Sequence, residues 1–139
     1  MTEIYTGCVR VGRITAWLAR RTGEPLGGLG EWAALKHFRL MGWELAARNW
    51  STRAGEIDLV FYDGKTLVFV EVKTRRKSGR SLPENNFNPR KLERMEALAW
   101  SFLERFEVVD TPVRFDLAAI ESEGRKLFWI RHYRGLGDY

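Results

Sequence analysis

The feature that most constrains the fold is a pair of apolar runs joined by a turn. Residues 55–73 read GEIDLVFYDGKTLVFVEVK, so that β-branched and aromatic residues flank the dipeptide Asp63-Gly64. This dipeptide between two such runs is a strong signal for a β-hairpin with a two-residue turn. A turn at that position sets Glu56 opposite Glu71 on the facing strand. The segment therefore predicts two antiparallel strands in a defined register.

Charged side chains interrupt the half of the hairpin that lies away from the turn. Side chains alternate between the two faces of a strand. One face is expected to carry Glu56, Asp58, Glu71 and Lys73, and the other Ile57, Leu59, Val68, Val70 and Val72. Opposed side chains have Cβ atoms about 5 Å apart, so the three carboxylates repel one another. Lys73, a raised pKa or a divalent metal would compensate, and clustered carboxylates are the ligands that Mg²⁺ prefers. The hairpin therefore predicts a metal site.

The segments around the hairpin predict an α/β domain. Gly and Pro residues indicate loops at 23–30 and 76–88, and apolar periodicity predicts a helix over 31–42 and a strand over 43–49. Asn88-Pro89 is typical of a helix start, ahead of apolar residues spaced by three and four up to Phe106. Two more strands are predicted over 112–120 and 126–133. We expect a central mixed β-sheet of about five strands flanked by helices.

The chain is expected to divide into a basic N-terminal extension, residues 1–26, and one domain, residues 27–139. Within the extension, apolar residues at helical spacing favour a short amphipathic helix packed on the domain, or a partly disordered segment. A basic arm that contacts phosphate or lipid is the remaining alternative. A helical Glu31 would complement the dipole of its helix, or it would add a fourth carboxylate to the hairpin acids.

Charge and cysteine content narrow the class of partner and the compartment. A net charge of +5 and a pI near 9.7 suit a polyanionic partner, and the bases gather in KTRRKSGR, residues 73–80. The single cysteine, Cys8, excludes an internal disulfide and indicates a cytoplasmic protein. No run of 18 apolar residues is present, so we expect no membrane partner.

Several ordered motifs carry a resemblance to known proteins. An acid, then about a dozen residues, then Glu-x-Lys on the next strand, with a helical Glu upstream, resembles the signature of PD-(D/E)XK nucleases, the restriction-endonuclease-like superfamily. The blocks GEIDL, FVEVK, PRKLERMEALAWSFL and VRFDLAAI resemble the YraN family in particular. This resemblance covers roughly residues 27–121. One departure is Ile57, which stands where the superfamily has a proline, while Glu56 supplies an additional acid.

The resemblance implies a restriction-endonuclease-like core and a metal-dependent endonuclease that hydrolyses phosphodiester bonds of DNA, with branched or repair intermediates as one option. It implies four catalytic residues, which are Glu31, Asp58, Glu71 and Lys73, with Glu56 in support. Mg²⁺ or Mn²⁺ would bind Asp58, Glu71 and the backbone carbonyl of Val72. Nucleic acid, DNA in preference to RNA, would contact the basic residues Arg75, Arg76, Lys77, Arg80, Arg90 and Lys91. A homodimer is expected if the substrate has two symmetric strands.

Two other classes of function remain open at this stage. The first is a nucleic-acid-binding protein that keeps the nuclease fold without catalytic activity. The second is an interaction protein whose acidic face binds a basic partner, and it would have no affinity for metal. On the strand over 112–120, Arg114 and Asp116 share one face and are expected to form an ion pair near the site.

Overall fold

The computed structural model describes residues 3–10, 26–77 and 81–137, and their central element is a six-stranded mixed sheet. The elements in chain order are β1 (Glu3–Arg10), α1 (Leu26–Leu40), β2 (Glu44–Thr52), β3 (Gly55–Asp63), β4 (Thr66–Arg76), a 3₁₀ turn (Pro83–Asn86), α2 (Pro89–Arg105), β5 (Val113–Glu123) and β6 (Leu127–Arg134). The strand order is β1-β6-β5-β4-β3-β2. Only β4 and β5 pair in parallel. The predicted α/β architecture, broadly that of a restriction-endonuclease-like core, is confirmed.

Each helix covers its own apolar cluster. On the α1 side, Phe38 stacks on Trp43 with ring centroids 4.5 Å apart, over residues of the central strands. On the α2 side, Phe102 meets Trp50 and Phe69 edge to face at 5.3 and 5.4 Å. The strongly apolar runs of β3 and β4 follow from this arrangement, because central strands between two helices are buried on both faces.

Helix α1 begins earlier than the sequence pattern predicts. The glycine-rich segment 23–30 was expected to be a loop, but residues 26–30 are the first turns of the helix. Close packing explains the glycines: a Cβ at Gly30 would lie 1.9 Å from Thr74 Oγ1 on β4. Glycine therefore lets the helix approach the strand, and the preference of glycine for loops is overridden by this contact.

The hairpin turn lies one residue further along the chain than predicted. Asp63 pairs with Thr66, so the two turn residues are Gly64 and Lys65, and the register is shifted by two residues. Gly64 has φ of +60°, and a type II′ turn requires glycine at its first central position. A shift of two residues in the register leaves each side chain on its predicted face of the sheet. Ile57 is nevertheless an exception, because it joins the α2 cluster and not the α1 cluster.

Strand β1 was not predicted, and it pairs antiparallel with β6 at the edge of the sheet. The predicted amphipathic helix of the extension falls within residues 11–25, outside the described residues. The start of α2 is confirmed, since Asn88 is the N-cap and its side chain accepts a hydrogen bond from the Lys91 amide at 3.1 Å. Within the described residues, neither helix is long and apolar enough to cross a membrane.

Candidate functional site

The predicted acids meet where β3 and β4 stop pairing. Leu59 opposite Val70 is the last regular pair on the side away from the turn. Beyond it, Asp58 Oδ2 accepts a hydrogen bond of 2.8 Å from the Val72 amide. A side chain thus replaces a backbone partner at this point, which places the Asp58 carboxylate between the two strands.

The carboxyl group of Asp58 has a strongly raised pKa. Burial raises its pKa to about 7, with a further contribution from the charge of Glu71 and smaller ones from Glu31 and Glu56. The hydrogen bond from Val72 acts in the opposite direction and does not offset these effects. The four predicted acids are therefore close enough to interact, and their mutual repulsion is not fully compensated by the protein.

Glu31 belongs to this group and not to the first turn of its helix. Helix α1 begins at Leu26, and no acidic residue lies in its first turn. Complementation of the helix dipole, the alternative interpretation of Glu31, is therefore excluded, because that effect is confined to the first turn. Glu31 instead contributes to raising the pKa of Asp58, which lies on β3.

The sequence analysis missed Asn49, which connects two of the acids. In the orientation that satisfies both neighbours, its amide nitrogen donates to Glu31 Oε1 at 2.8 Å and to Glu56 Oε1 at 3.3 Å. Asn49 has φ of +51°, a conformation that asparagine tolerates better than most residues. This role of Asn49 is not indicated by its position within a strand, nor by the residues next to it in the sequence. The bridge forms because Asn49 on β2 lies next to Glu31 on α1 and to Glu56 at the start of β3.

Lys73 and two of the acids line a cavity between the sheet and α2. Lys73 Nζ lies 3.1 Å from Glu71 Oε1, and both side chains are partly exposed. The cavity has a volume of about 130 Å³. Its lining is Gly55, Glu56, Glu71, Lys73, Phe87, Lys91, Arg94, Met95 and Leu98. Glu31 and Asp58 do not line it. The charges of Glu71 and Glu56, which do line it, and of Glu31 add to the effect of burial on the pKa of Asp58.

Two carboxylates and one backbone carbonyl are the donor groups that this site offers to a metal. Among the described residues, no three His, Cys, Asp or Glu side chains form a group that could hold a metal ion. Two carboxylates, Asp58 and Glu71, remain, and the Val72 amide faces Asp58. The N–H and C=O of one strand residue point to the same neighbour, so the Val72 carbonyl faces this gap too. Mg²⁺ is commonly held by one or two carboxylates plus waters.

The predicted nucleic-acid-binding residues fall into separate groups. Arg75 and Arg76 are exposed at the end of β4, and Arg90 is exposed at the start of α2, while the adjacent Lys91 lines the cavity. Lys77 is paired with Glu123 at 3.1 Å and lies 5.0 Å from the ring centre of Trp129. Its charge is thus partly engaged within the protein. Arg80 lies outside the described residues.

The ion pair predicted on β5 forms on the α1 side of the sheet, near the hairpin turn, where Arg114 Nη1 also lies 3.0 Å from Asp63 Oδ2. Arg114 Nε lies 3.0 Å from Asp116 Oδ1, and the other oxygen, Oδ2, is 2.7 Å from His132 Nε2. The His132 ring packs against Phe38 at 4.9 Å and Trp43 at 5.4 Å, within the α1 cluster. The expectation that this pair lies near the acidic site is therefore wrong. Because Asp116 points toward α1, it cannot reach the cavity beneath α2.

Comparison with known proteins gives one consistent family. The family described as "Uncharacterised protein family UPF0102" matches residues 30–120, and it is the YraN family that the motifs resemble. A UPF0102 protein of Acidothermus cellulolyticus is 40% identical over 121 residues, covering 78% of this chain and 92% of that protein. One of Geotalea uraniireducens is 33% identical over 115 residues, covering 83% and 91%. A third, of Ectopseudomonas mendocina, is 40% identical over 111 residues, covering 78% and 93%.

Proposed function

The chain belongs to the uncharacterised protein family UPF0102, and we propose that it is a metal-dependent endonuclease that hydrolyses phosphodiester bonds of DNA. One observation carries this proposal. Asp58, with a pKa raised to about 7, lies among Glu71, Glu31 and Glu56, where no protein cation pairs with it within the described residues. Such a perturbed acid beside a cavity is typical of functional sites.

The chemistry of the site suits an incoming phosphodiester. Mg²⁺ or Mn²⁺ would be held by Asp58, Glu71 and the Val72 carbonyl, and such an ion polarises phosphate and lowers the pKa of bound water. Lys73, paired with Glu71 at 3.1 Å, brings a positive charge to the cavity wall. This charge is suited to stabilising the negative charge that develops on the phosphate oxygens. Glu31 and Glu56, joined by Asn49, would add negative charge around the metal.

The surroundings of the site support a polyanionic substrate. The net charge is +5, and Arg75, Arg76 and Arg90 present exposed charges at the end of β4 and the start of α2. Contacts of this type bind phosphates without reading base sequence. We propose DNA in preference to RNA, in a cytoplasmic compartment, with branched or repair intermediates as candidate substrates and a homodimer as the form for a symmetric one.

One observation favours a second candidate, a nucleic-acid-binding protein of nuclease fold without hydrolysis. Within the described residues the carboxylates do not form a three-ligand metal group. A site that has lost its metal would keep the basic surface and bind DNA without cutting it. The presence of Asp58, Glu71 and Lys73 together argues for catalysis, because a binding function alone does not require acids that repel the phosphate backbone.

The proposal is tested by incubating labelled linear, single-stranded and four-way-junction DNA with the protein and Mg²⁺ or Mn²⁺. We expect cuts that require metal and that disappear in Asp58→Ala and in Lys73→Ala, while both variants stay folded. Exposed Glu93 on α2 provides a matched control, since Glu93→Ala should cut as wild type does. Binding without cuts in either metal would establish the second candidate.

A further inference from the structure

The cavity beneath α2 has two chemically different walls. The sheet contributes Glu56, Glu71 and Lys73, and the helix contributes Lys91 and Arg94. Residues three apart lie on the same face of a helix, so the two helix cations point together toward the acids. Three apolar residues, Phe87, Met95 and Leu98, complete the lining.

The size of the cavity limits what can enter it. Its volume is about 130 Å³, well below the roughly 300 to 1,000 Å³ of pockets that enclose drug-sized ligands. A phosphate group with its ester oxygens fits such a space, whereas a nucleotide with its base does not. The cavity therefore has room for one phosphate group and not for a whole nucleotide.

The two helix cations are available for such a ligand. Among residues 3–10, 26–77 and 81–137, neither the Lys91 ammonium nor the Arg94 guanidinium pairs with an acidic side chain. Arg94 Cδ lies 3.6 Å from the position that a Cβ on Gly55 would take. The Arg94 side chain therefore lies across the start of β3, beside the acidic wall. Sequence reasoning included Lys91 among the phosphate contacts but not Arg94.

We propose that Arg94 is a phosphate-binding residue that, together with Lys91, holds one phosphodiester of the DNA backbone in this cavity. The proposal rests on the proposed endonuclease function, because it identifies the group that the site receives. Arginine donates two parallel hydrogen bonds to one phosphate, and this geometry fixes the phosphate as well as attracting it. Since only backbone enters the cavity, the contact is independent of base sequence.

The test measures binding of fluorescently labelled DNA by anisotropy, in EDTA, over a series of salt concentrations. We expect Arg94→Gln to weaken binding about tenfold, the loss of one charge-assisted contact. The slope of log affinity against log salt should fall by about one for Arg94→Gln and stay unchanged for Arg94→Lys. Two oligonucleotides of unrelated sequence should show the same loss. A purely structural role for Arg94 would not change the salt slope.

Arg105 provides the matched control. It is exposed on the same helix, about 16 Å further along the axis. Arg105→Gln should leave affinity and slope unchanged. An Arg94→Gln protein that binds with the wild-type affinity and slope, or an equal loss in Arg105→Gln, would overturn the proposal.

The outcome for Arg94 can be separated from the outcome for catalysis. Binding in EDTA does not require cutting, so an Arg94-dependent slope in a protein that never cuts would support the phosphate contact and contradict the endonuclease. A wild-type protein that cuts DNA, with Arg94→Gln cutting and binding equally well, would support the endonuclease and contradict the contact. A wild-type protein that binds no DNA would contradict both.

Discussion

Asp116 on β5 and Asp58 on β3 are both largely buried, but the groups around the two carboxylates differ in charge. Asp116 is fully buried and accepts hydrogen bonds from Arg114 and from the Gly135 amide, with His132 at 2.7 Å. Within the described part of the chain, Asp58 accepts one hydrogen bond, from the Val72 amide. The neighbours of Asp116 are cations and donors, whereas the charged neighbours that perturb Asp58 are acids.

This difference is visible in the two pKa values. Burial would raise the pKa of Asp116, but the hydrogen bonds of His132 and Arg114 outweigh it and lower the pKa. Burial raises the pKa of Asp58 to about 7, and the neighbouring acids add to the effect. Loss of a satisfied buried carboxylate leaves its partners unpaired and is strongly destabilising, whereas an unsatisfied carboxylate remains available to a ligand from outside. We therefore expect Asp116 to matter for stability and propose a functional role for Asp58.

The largest expected effect on stability is the loss of Asp116. Asp116→Ala should lower the free energy of unfolding by about 3 to 5 kcal/mol, because it leaves the fully buried His132 ring without its hydrogen-bond partner and Arg114 with Asp63 alone. Chemical denaturation measures this change. Glu93→Ala on the exposed face of α2 should remain within about 0.5 kcal/mol of wild type. A comparably small change in Asp116→Ala would remove the distinction between the two aspartates.

The close packing of α1 on β4, which positions Glu31, leaves no room for a methyl group at residue 30. Gly30→Ala should lower the free energy of unfolding by about 1 to 3 kcal/mol, since the new Cβ would lie 1.9 Å from Thr74 Oγ1. In a helix without this contact, the same change would be stabilising. Thermal unfolding distinguishes the two cases. A rise in melting temperature would mean that α1 does not approach β4 as closely as described.

The pH dependence of stability should have opposite sign for the two aspartates. The pKa of Asp116 is lowered in the folded state, so its contribution is present above about pH 4 and is lost as the pH falls further. The folded-state pKa of Asp58 is raised to about 7, so its contribution is present below about pH 4 and is lost as the pH rises to 7.

Denaturation of wild type and Asp58→Asn at pH 4, 5.5 and 7, in EDTA, tests the second half of this prediction. The free energy of unfolding of Asp58→Asn should rise relative to that of wild type as the pH increases, and at pH 7 it should be higher by about 1 kcal/mol or more. A difference that does not change with pH would show that the ionisation of Asp58 is compensated in the folded protein.

The smallest effect is expected at Asn49, which joins Glu31 to Glu56. Asn49→Asp should lower stability by about 1 kcal/mol, because it adds a third charge to two carboxylates. Asn49→Gly keeps the backbone at positive φ and removes only the bridge, so its loss should be smaller. Urea denaturation at low salt compares the two. Equal losses would mean that the amide nitrogen does not face both acids.

Much of this arrangement follows from sequence pattern. Apolar alternation predicts β3 and β4, and the Asn88-Pro89 start predicts α2, because both depend on local chemistry. The two-residue alternation of strands also brings Glu71 and Lys73 to one face, even though the hairpin register was wrong by two residues. An even shift in register does not change faces, so Glu71 and Lys73 line the cavity together with Glu56, whereas Asp58 does not.

What sequence could not predict depends on contacts between distant segments. The helical state of residues 26–30 requires the close approach of Gly30 to Thr74, and Asn49 acquires its role only where β2 meets α1. The placement of Asp116 away from the site depends on which face of the sheet β5 presents to α1. The inclusion of Arg94 in the cavity depends on how α2 lies over the start of β3.

We infer that Asp58 serves function, although its charge is not balanced by its surroundings. Asp58→Asn tests it most directly, with the free energy of unfolding and metal-dependent DNA cleavage measured on the same preparation. We expect Asp58→Asn to have unchanged or higher stability at pH 7 and to lose cleavage completely. A variant that is less stable than wild type yet cuts DNA at the wild-type rate would contradict the account, since Asp58 would then be a structural residue like Asp116.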